Sequence, residues 1–153
     1  MPAEREPWLI VGGDGGIGAA LAGRLAGLRI PTIATSRRPS AEWHLDLAEL
    51  PASWRLPDRA EAAFLCAAIT SMDQCRRDPD RARLVNVTRT LDLAGRLRDR
   101  GAHVVFLSTN QVYDGSQPAR LADELPCPIS DYGRQKAEVE RELLRRGGAT
   151  IVR

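Results

Sequence analysis

Tyr132-Gly133-Arg134-Gln135-Lys136 sets a phenol and a primary ammonium four residues apart, so that on a helix both leave the same face. That spacing suits a proton-transfer pair. A phenol with an ordinary pKa of about 10 is a poor acid-base group at neutral pH, and a neighbouring cation favours its phenolate and brings it toward the working range. Lys136 is the only lysine among 22 basic residues, all the others being arginine. A compact ammonium can hydrogen-bond ribose hydroxyls that a planar guanidinium fits less well. Upstream, Ser108-Thr109-Asn110-Gln111 offers hydroxyls that could bond a substrate carbonyl. The alternative is that Ser108 and Thr109 only satisfy loop backbone, a common role for such residues.

A second cluster is Gly12-Gly13-Asp14-Gly15-Gly16-Ile17-Gly18, with glycines at every third position from Gly12 through Gly15 to Gly18. It follows a short apolar run and opens a helical pattern, the setting in which such a loop holds a pyrophosphate. One glycine tolerates an unusual φ, one lets backbone approach the phosphates, and one permits close helix-to-strand packing, while the helix N-terminus attracts the charge. No Gly-Lys-Ser/Thr follows, which argues against a nucleoside-triphosphate loop. A site specific for NAD carries an acid at the end of the second strand to hold the ribose 2′-hydroxyl. Here that stretch reads Thr35-Ser36-Arg37-Arg38, and a hydroxyl followed by two guanidinium groups suits a 2′-phosphate. The expectation is NADP(H) in preference to NAD(H).

The elements that must position these groups alternate along the chain. Trp8 to Val11, Ile30 to Thr35, Trp43 to Leu45, Ala62 to Cys66, Ala102 to Leu107 and Ala149 to Val152 read as six strands. Between them lie a helix with Ile17, Leu21, Leu25 and Leu28 facing inward, and a helix capped by Asp78 with Pro79 at its first position and running to about Arg100. A last helix spans Ser130 to Arg146 and stops at Gly147-Gly148. Strands alternating with helices predict right-handed crossovers and an open parallel sheet covered on both faces.

Composition narrows the class of function. At 153 residues, with 43% hydrophobic and 27% charged residues, the chain has the makings of one globular domain. A net charge of +2 gives no field that would favour nucleic acid or an anionic membrane. Arginines 96, 98, 100, 141, 145 and 146 lie near helix C-termini, where they meet the dipole and need no ligand. Cys66, Cys75 and Cys127 are odd in number and match no metal spacing, so no metal site and a reducing compartment are expected. The acidic start Met1-Pro2-Ala3-Glu4 does not read as a signal peptide, and no apolar run reaches membrane-span length, so the expected location is cytoplasmic.

Taken together, these motifs resemble the extended short-chain dehydrogenase/reductases of the NAD-dependent epimerase/dehydratase superfamily, and within them the 4-dehydrorhamnose reductase type of nucleotide-sugar enzyme. The resemblance runs from Trp8 to Arg153. It rests on the glycine loop, Leu45-Asp46-Leu47, Cys66-Ala67-Ala68-Ile69-Thr70, Val85-Asn86-Val87, the run from Phe106 to Gly115, and Tyr132 with Lys136. It implies a Rossmann-type doubly wound parallel sheet of about six strands with helices on both faces. It implies that Tyr132 gives a proton to the substrate carbonyl, that Lys136 binds the nicotinamide ribose and lowers the tyrosine pKa, and that Thr109 polarises the carbonyl. Asp46 and Leu47 would flank the adenine, Ala67 and Ala68 would line the cofactor, and Asn86 would serve structure or a water relay.

Two departures stand out. Cys66 occupies a position where the family generally has Asn, and family members continue well past this length, in a part that builds most of the nucleotide-sugar pocket. The implied organisation is therefore an NADP-binding Rossmann domain over residues 1–153, without the family's C-terminal substrate-binding domain. The implied partner is a nucleotide sugar or another small carbonyl substrate, with a homo-oligomer or a second chain completing the pocket. Two functions follow: an NADPH-dependent reductase or epimerase/reductase of a keto group, or a stand-alone NADP-binding sensor or complex subunit without turnover of its own.

Overall fold

The computed structural model describes residues 5–153, so the acidic start Met1–Glu4 lies outside the described residues. Five parallel strands form one sheet: β1 (Trp8–Val11), β2 (Thr32–Ala34), β3 (Ala62–Leu65), β4 (His103–Leu107) and β5 (Ala149–Val152), in the order β2-β1-β3-β4-β5. In register, Ile10 lies beside Phe64, Phe64 beside Val105, and Val105 beside Thr150.

The sixth expected strand is absent. Trp43 to Leu45 contributes a single parallel bridge, Ser36 with His44, at the sheet edge beyond β2. Asp46 ends the pairing by turning the chain, its carboxylate accepting from Ala48 N at 2.8 Å while its carbonyl accepts from Trp54 Nε1 at 2.8 Å. The chain leaves the edge after one ladder step.

Helix α1 (Gly16–Gly27) packs against β1 and β2. Helices α2 (Met72–Arg77), α3 (Pro79–Arg83) and α4 (Thr90–Arg98) precede β4, and α5 (Asp131–Arg146) precedes β5. The chain moves outward one way to β2 and the other way through β3, β4 and β5, so right-handed crossovers set α1 on one face and α4 and α5 on the other. Leu9, Val11, Ala63, Leu65, Val104 and Phe106 share the main core with Leu93, Leu97, Val139 and Leu143 of α4 and α5.

Two helices differ from expectation. On α1 only Leu25 of the four expected core side chains is buried, and Ile17 is 62% exposed. The single helix expected from Asp78 onward is interrupted by a π-helical turn, Leu84–Arg89, between α3 and α4. Thr90 Oγ1 donates to Val85 O at 2.9 Å, closing the widened turn. The Asp78 cap is as expected, its carboxylate accepting from Arg81 N at 3.1 Å. Ser130 caps α5 by accepting from Gly133 N at 3.0 Å, and Gly147 ends it with a φ of 70°. Among the described residues no helix is long and apolar enough to cross a membrane.

Candidate functional site

The chain reverses direction across the sheet at β1 and β3, and the loops leaving those neighbouring strands diverge at their carboxyl ends. That is where open α/β sheets bind ligands. A cleft of about 730 Å³ opens there, lined by Gly12, Asp14, Gly15, Gly16, Ile17, Gly18, Arg37, Arg38, Asp46, Leu47, Ala67 and Ala68. Eleven of these were read from sequence as cofactor-binding, joined by Asp14; Ser108, Tyr132 and Lys136, read the same way, do not line the cleft. Ser36 stands at its edge, hydrogen-bonded to Asp14.

The glycines let backbone close in. Gly12 has a φ of +84°, and a Cβ there would come within 3.0 Å of the Ala67 Cβ. A Cβ on Gly18 would overlap the Gly12 carbonyl oxygen. Gly15 caps α1 with no side-chain partner, so the first-turn N–H groups remain available to an anion. Gly12 N donates to Thr35 Oγ1 at 3.3 Å and Gly15 N to Gly12 O at 3.1 Å, so the N–H groups that could meet a pyrophosphate are those of Gly16, Ile17 and Gly18 in the first turn of α1. Cys66, Ile69, Thr70, Arg81 and Val85 also line the cleft. Arg81 went unnoticed in the sequence because α3 reaches the cleft only through the fold, although the Asp78-Pro79 cap fixes where its first turn starts.

The second cluster lies at the carboxyl end of β4. Lys136 is 3% exposed, and its Nζ donates to Leu107 O at 2.8 Å and sits 4.4 Å from the Phe106 ring centroid and 5.8 Å from that of Tyr132. Burial lowers its pKa to about 8, against smaller raising effects from the Cys66 thiol and Glu140. Tyr132 is 7% exposed, and burial pushes its pKa above the ordinary phenol value, with the Cys75 thiol adding to the rise. The expected cation-driven fall is therefore absent: one donor of the ammonium goes to the Leu107 carbonyl, and desolvation of the phenol dominates.

Thr109 caps the short 3₁₀ turn Asn110–Val112, its Oγ1 accepting from Gln111 N at 3.2 Å. Ser108 Oγ donates to Glu140. Thr109 thus serves loop backbone, as the alternative reading foresaw, whereas Ser108 bonds a side chain on α5. Asn86 grips the loop after β3, accepting from Ile69 N at 2.8 Å and donating to Ile69 O at 2.9 Å and to Gln135 Oε1 at 2.8 Å. Those three bonds give it a structural role.

Sequence reading missed Gly133 and the pair Glu140–Arg153. A Cβ on Gly133 would overlap the Gln111 carbonyl oxygen, so the glycine lets the first turn of α5 press against the Thr109 loop. Glu140, 1% exposed, is held by Arg153 Nη2 at 2.7 Å and Nε at 3.1 Å. The signal for Glu140 was its spacing: with Tyr132 and Lys136 it continues one stripe of α5 at steps of four.

Sheet, switch-point cleft and glycine loop define a Rossmann-type α/β domain. The chain belongs to the RmlD substrate binding domain family, which it matches over residues 7–153. It is 32% identical over 142 residues to a dTDP-4-keto-6-deoxy-D-glucose reductase of Streptomyces niveus, covering 91% of this chain and 48% of that protein. Among solved structures, MoeE5 in complex with UDP-glucose and NAD superposes with a TM-score of 0.79 at 26% identity, over 95% of this chain and 51% of the other. The dTDP-4-dehydrorhamnose reductase of Bacillus anthracis strain Ames, in complex with NADP, superposes with a TM-score of 0.82 at 24% identity, over 100% of this chain and 54% of the other. Neighbours of this fold thus hold either NAD or NADP. The chain spans about half the length of the relatives it matches.

Proposed function

We propose that this chain is the cofactor-binding and proton-donating part of an NADP(H)-dependent reductase, or epimerase/reductase, acting on a keto group of a nucleotide sugar. One observation carries the reading: Tyr132 and Lys136 lie on the buried stripe of α5 at the carboxyl end of β4, where Lys136 is near enough to act electrostatically on Cys66 of the cleft wall. The Streptomyces niveus relative, a dTDP-keto-sugar reductase, supports the substrate class.

Gly12, Gly15, Gly16, Ile17 and Gly18 would hold the pyrophosphate, Ser36, Arg37 and Arg38 the 2′-phosphate, and Asp46 and Leu47 the adenine. Ala67 and Ala68 would line the cofactor's path, and Ser108 would sit at its inner end. When bound, the nicotinamide would supply the hydride for the carbonyl carbon. Tyr132, kept protonated by burial, gives its phenolic proton to the carbonyl oxygen as charge develops there. Thr109 donates a second hydrogen bond to that oxygen. Lys136 binds ribose and steadies the phenolate left behind.

Oxidation of NADPH by dTDP-4-keto-6-deoxy sugars, followed by absorbance, tests the reading. Turnover by the wild type supports it. NADPH binding without turnover of any keto-sugar nucleotide favours the second reading, a binding module or complex subunit.

A further inference from the structure

The glycine loop carries one charged side chain, and the fold directs it to the place where cofactors are told apart. Asp14 Oδ2 accepts a hydrogen bond from Ser36 Oγ at 2.9 Å and pairs with Arg38 Nε at 3.4 Å. Ser36 Oγ in turn accepts from Arg38 N at 3.1 Å, so its one proton is committed to the carboxylate. Gly13 N donates to Thr35 O at 2.8 Å, fixing the loop after β1 against the end of β2. The segment Thr35-Ser36-Arg37-Arg38 holds no acid of its own, yet the tertiary structure brings one to it. Ser36 and Arg38, two of the three residues read as donors to a 2′-phosphate, already face an anion.

We propose that Asp14 is a cofactor-specificity residue, a carboxylate on the Ser36–Arg38 pair that a ribose 2′-hydroxyl can satisfy and a 2′-phosphate must displace. The proposal deepens the dinucleotide reading above and rests on it. A 2′-hydroxyl has a proton to give, and Asp14 is an acceptor with further lone pairs. A 2′-phosphate is mostly dianionic at neutral pH, needs the Ser36 hydroxyl and the Arg38 guanidinium for itself, and meets the carboxylate charge as well. Preference for NADP(H) is therefore the attraction of Arg37 and Arg38 less the repulsion of Asp14. MoeE5, a structural neighbour at 26% identity, holds NAD, in keeping with a fold in which the balance can be shifted.

Calorimetric titration of NADPH and NADH into the wild type, Asp14→Asn and Asp14→Ser tests this. The Asp14 side chain is partly exposed, so neither change disturbs the core. Both variants are expected to bind NADPH about two- to fivefold more tightly, the range of an exposed ion pair, and to bind NADH no better than the wild type. The gain should shrink as salt is raised. An unchanged NADPH-to-NADH affinity ratio, or weaker NADPH binding in both variants, overturns the proposal and leaves Asp14 as an ordering contact. If the wild type binds neither dinucleotide, the dinucleotide reading itself fails, and the proposal with it.

Discussion

Lys136 Nζ and Leu107 O, 2.8 Å apart, tie the middle of α5 to the last residue of β4. The bond sets where the ammonium can be, and through the helix it sets Tyr132 one turn away. The phenol and the ammonium thus stand in fixed relation at this end of the sheet.

Tyr132→Phe should abolish keto-sugar reduction while sparing the cofactor site. The expected loss is about 100-fold or more in kcat, the range of a general-acid contribution. The NADPH dissociation constant should move by less than about twofold. Steady-state assays beside fluorescence titration check both, and an active Phe variant would remove Tyr132 from the reaction.

Lys136 gives the chain a pH-dependent stability. Its folded-state pKa, about 8, lies below the ordinary lysine value of 10.5, so the unfolded state binds more protons between those values and stability rises with pH there. The full burial penalty is felt below pH 8. Relative to Lys136→Met, the wild type should gain on the order of 2 kcal/mol between pH 8 and 10 in urea unfolding. Parallel pH profiles of the two proteins would refute the assignment.

Arg153→Met leaves the Glu140 carboxylate buried with Ser108 as its remaining partner, at an expected cost of about 3 kcal/mol. Adding Glu140→Gln should restore a large part of that stability, because the uncompensated charge is gone. Equal unfolding midpoints for the single and double variants would count against the pair as the cause.

Gly18→Ala forces a methyl into the Gly12 carbonyl and should cost about 2 kcal/mol. Dinucleotide affinity should fall about tenfold, since the same shift opens the loop at α1. Gly23→Ala is the control: a Cβ there meets nothing within 4 Å, and stability should hold or rise.

Apolar runs and capping signals marked all five strands and the ends of α5, because strand burial and helix stops are local properties of the chain. Trp43 to Leu45 carried the same apolar signal without becoming a strand, since Asp46 turns the chain away from the edge just past Ser36–His44. The π turn was hidden for a related reason: Val85, Asn86 and Val87 fit a regular helix on paper, and Asn86 is drawn to Ile69 and Gln135 only once the fold is formed. At the candidate site, Tyr132, Lys136 and the glycines announced themselves by type and spacing. Asp14 and Arg153 did not, as Ser36 and Arg38 are brought to Asp14 by the adjacency of β1 and β2, and Glu140 is brought to Arg153 by the packing of α5 on β5.

The π turn at Leu84–Arg89 also has a bearing on how the molecule tolerates change. Its rings close over one residue more than those of an α-helix, and α4 continues beyond it at a rotated phase. Removing a single residue from that turn would restore an ordinary helix and swing either Asn86 off Ile69 or Leu93 and Leu97 out of the core, by roughly 100°. The segment is thus a joint between two obligations, a loop to hold on one side and a sheet to cover on the other, and its length in residues is as constrained as its composition.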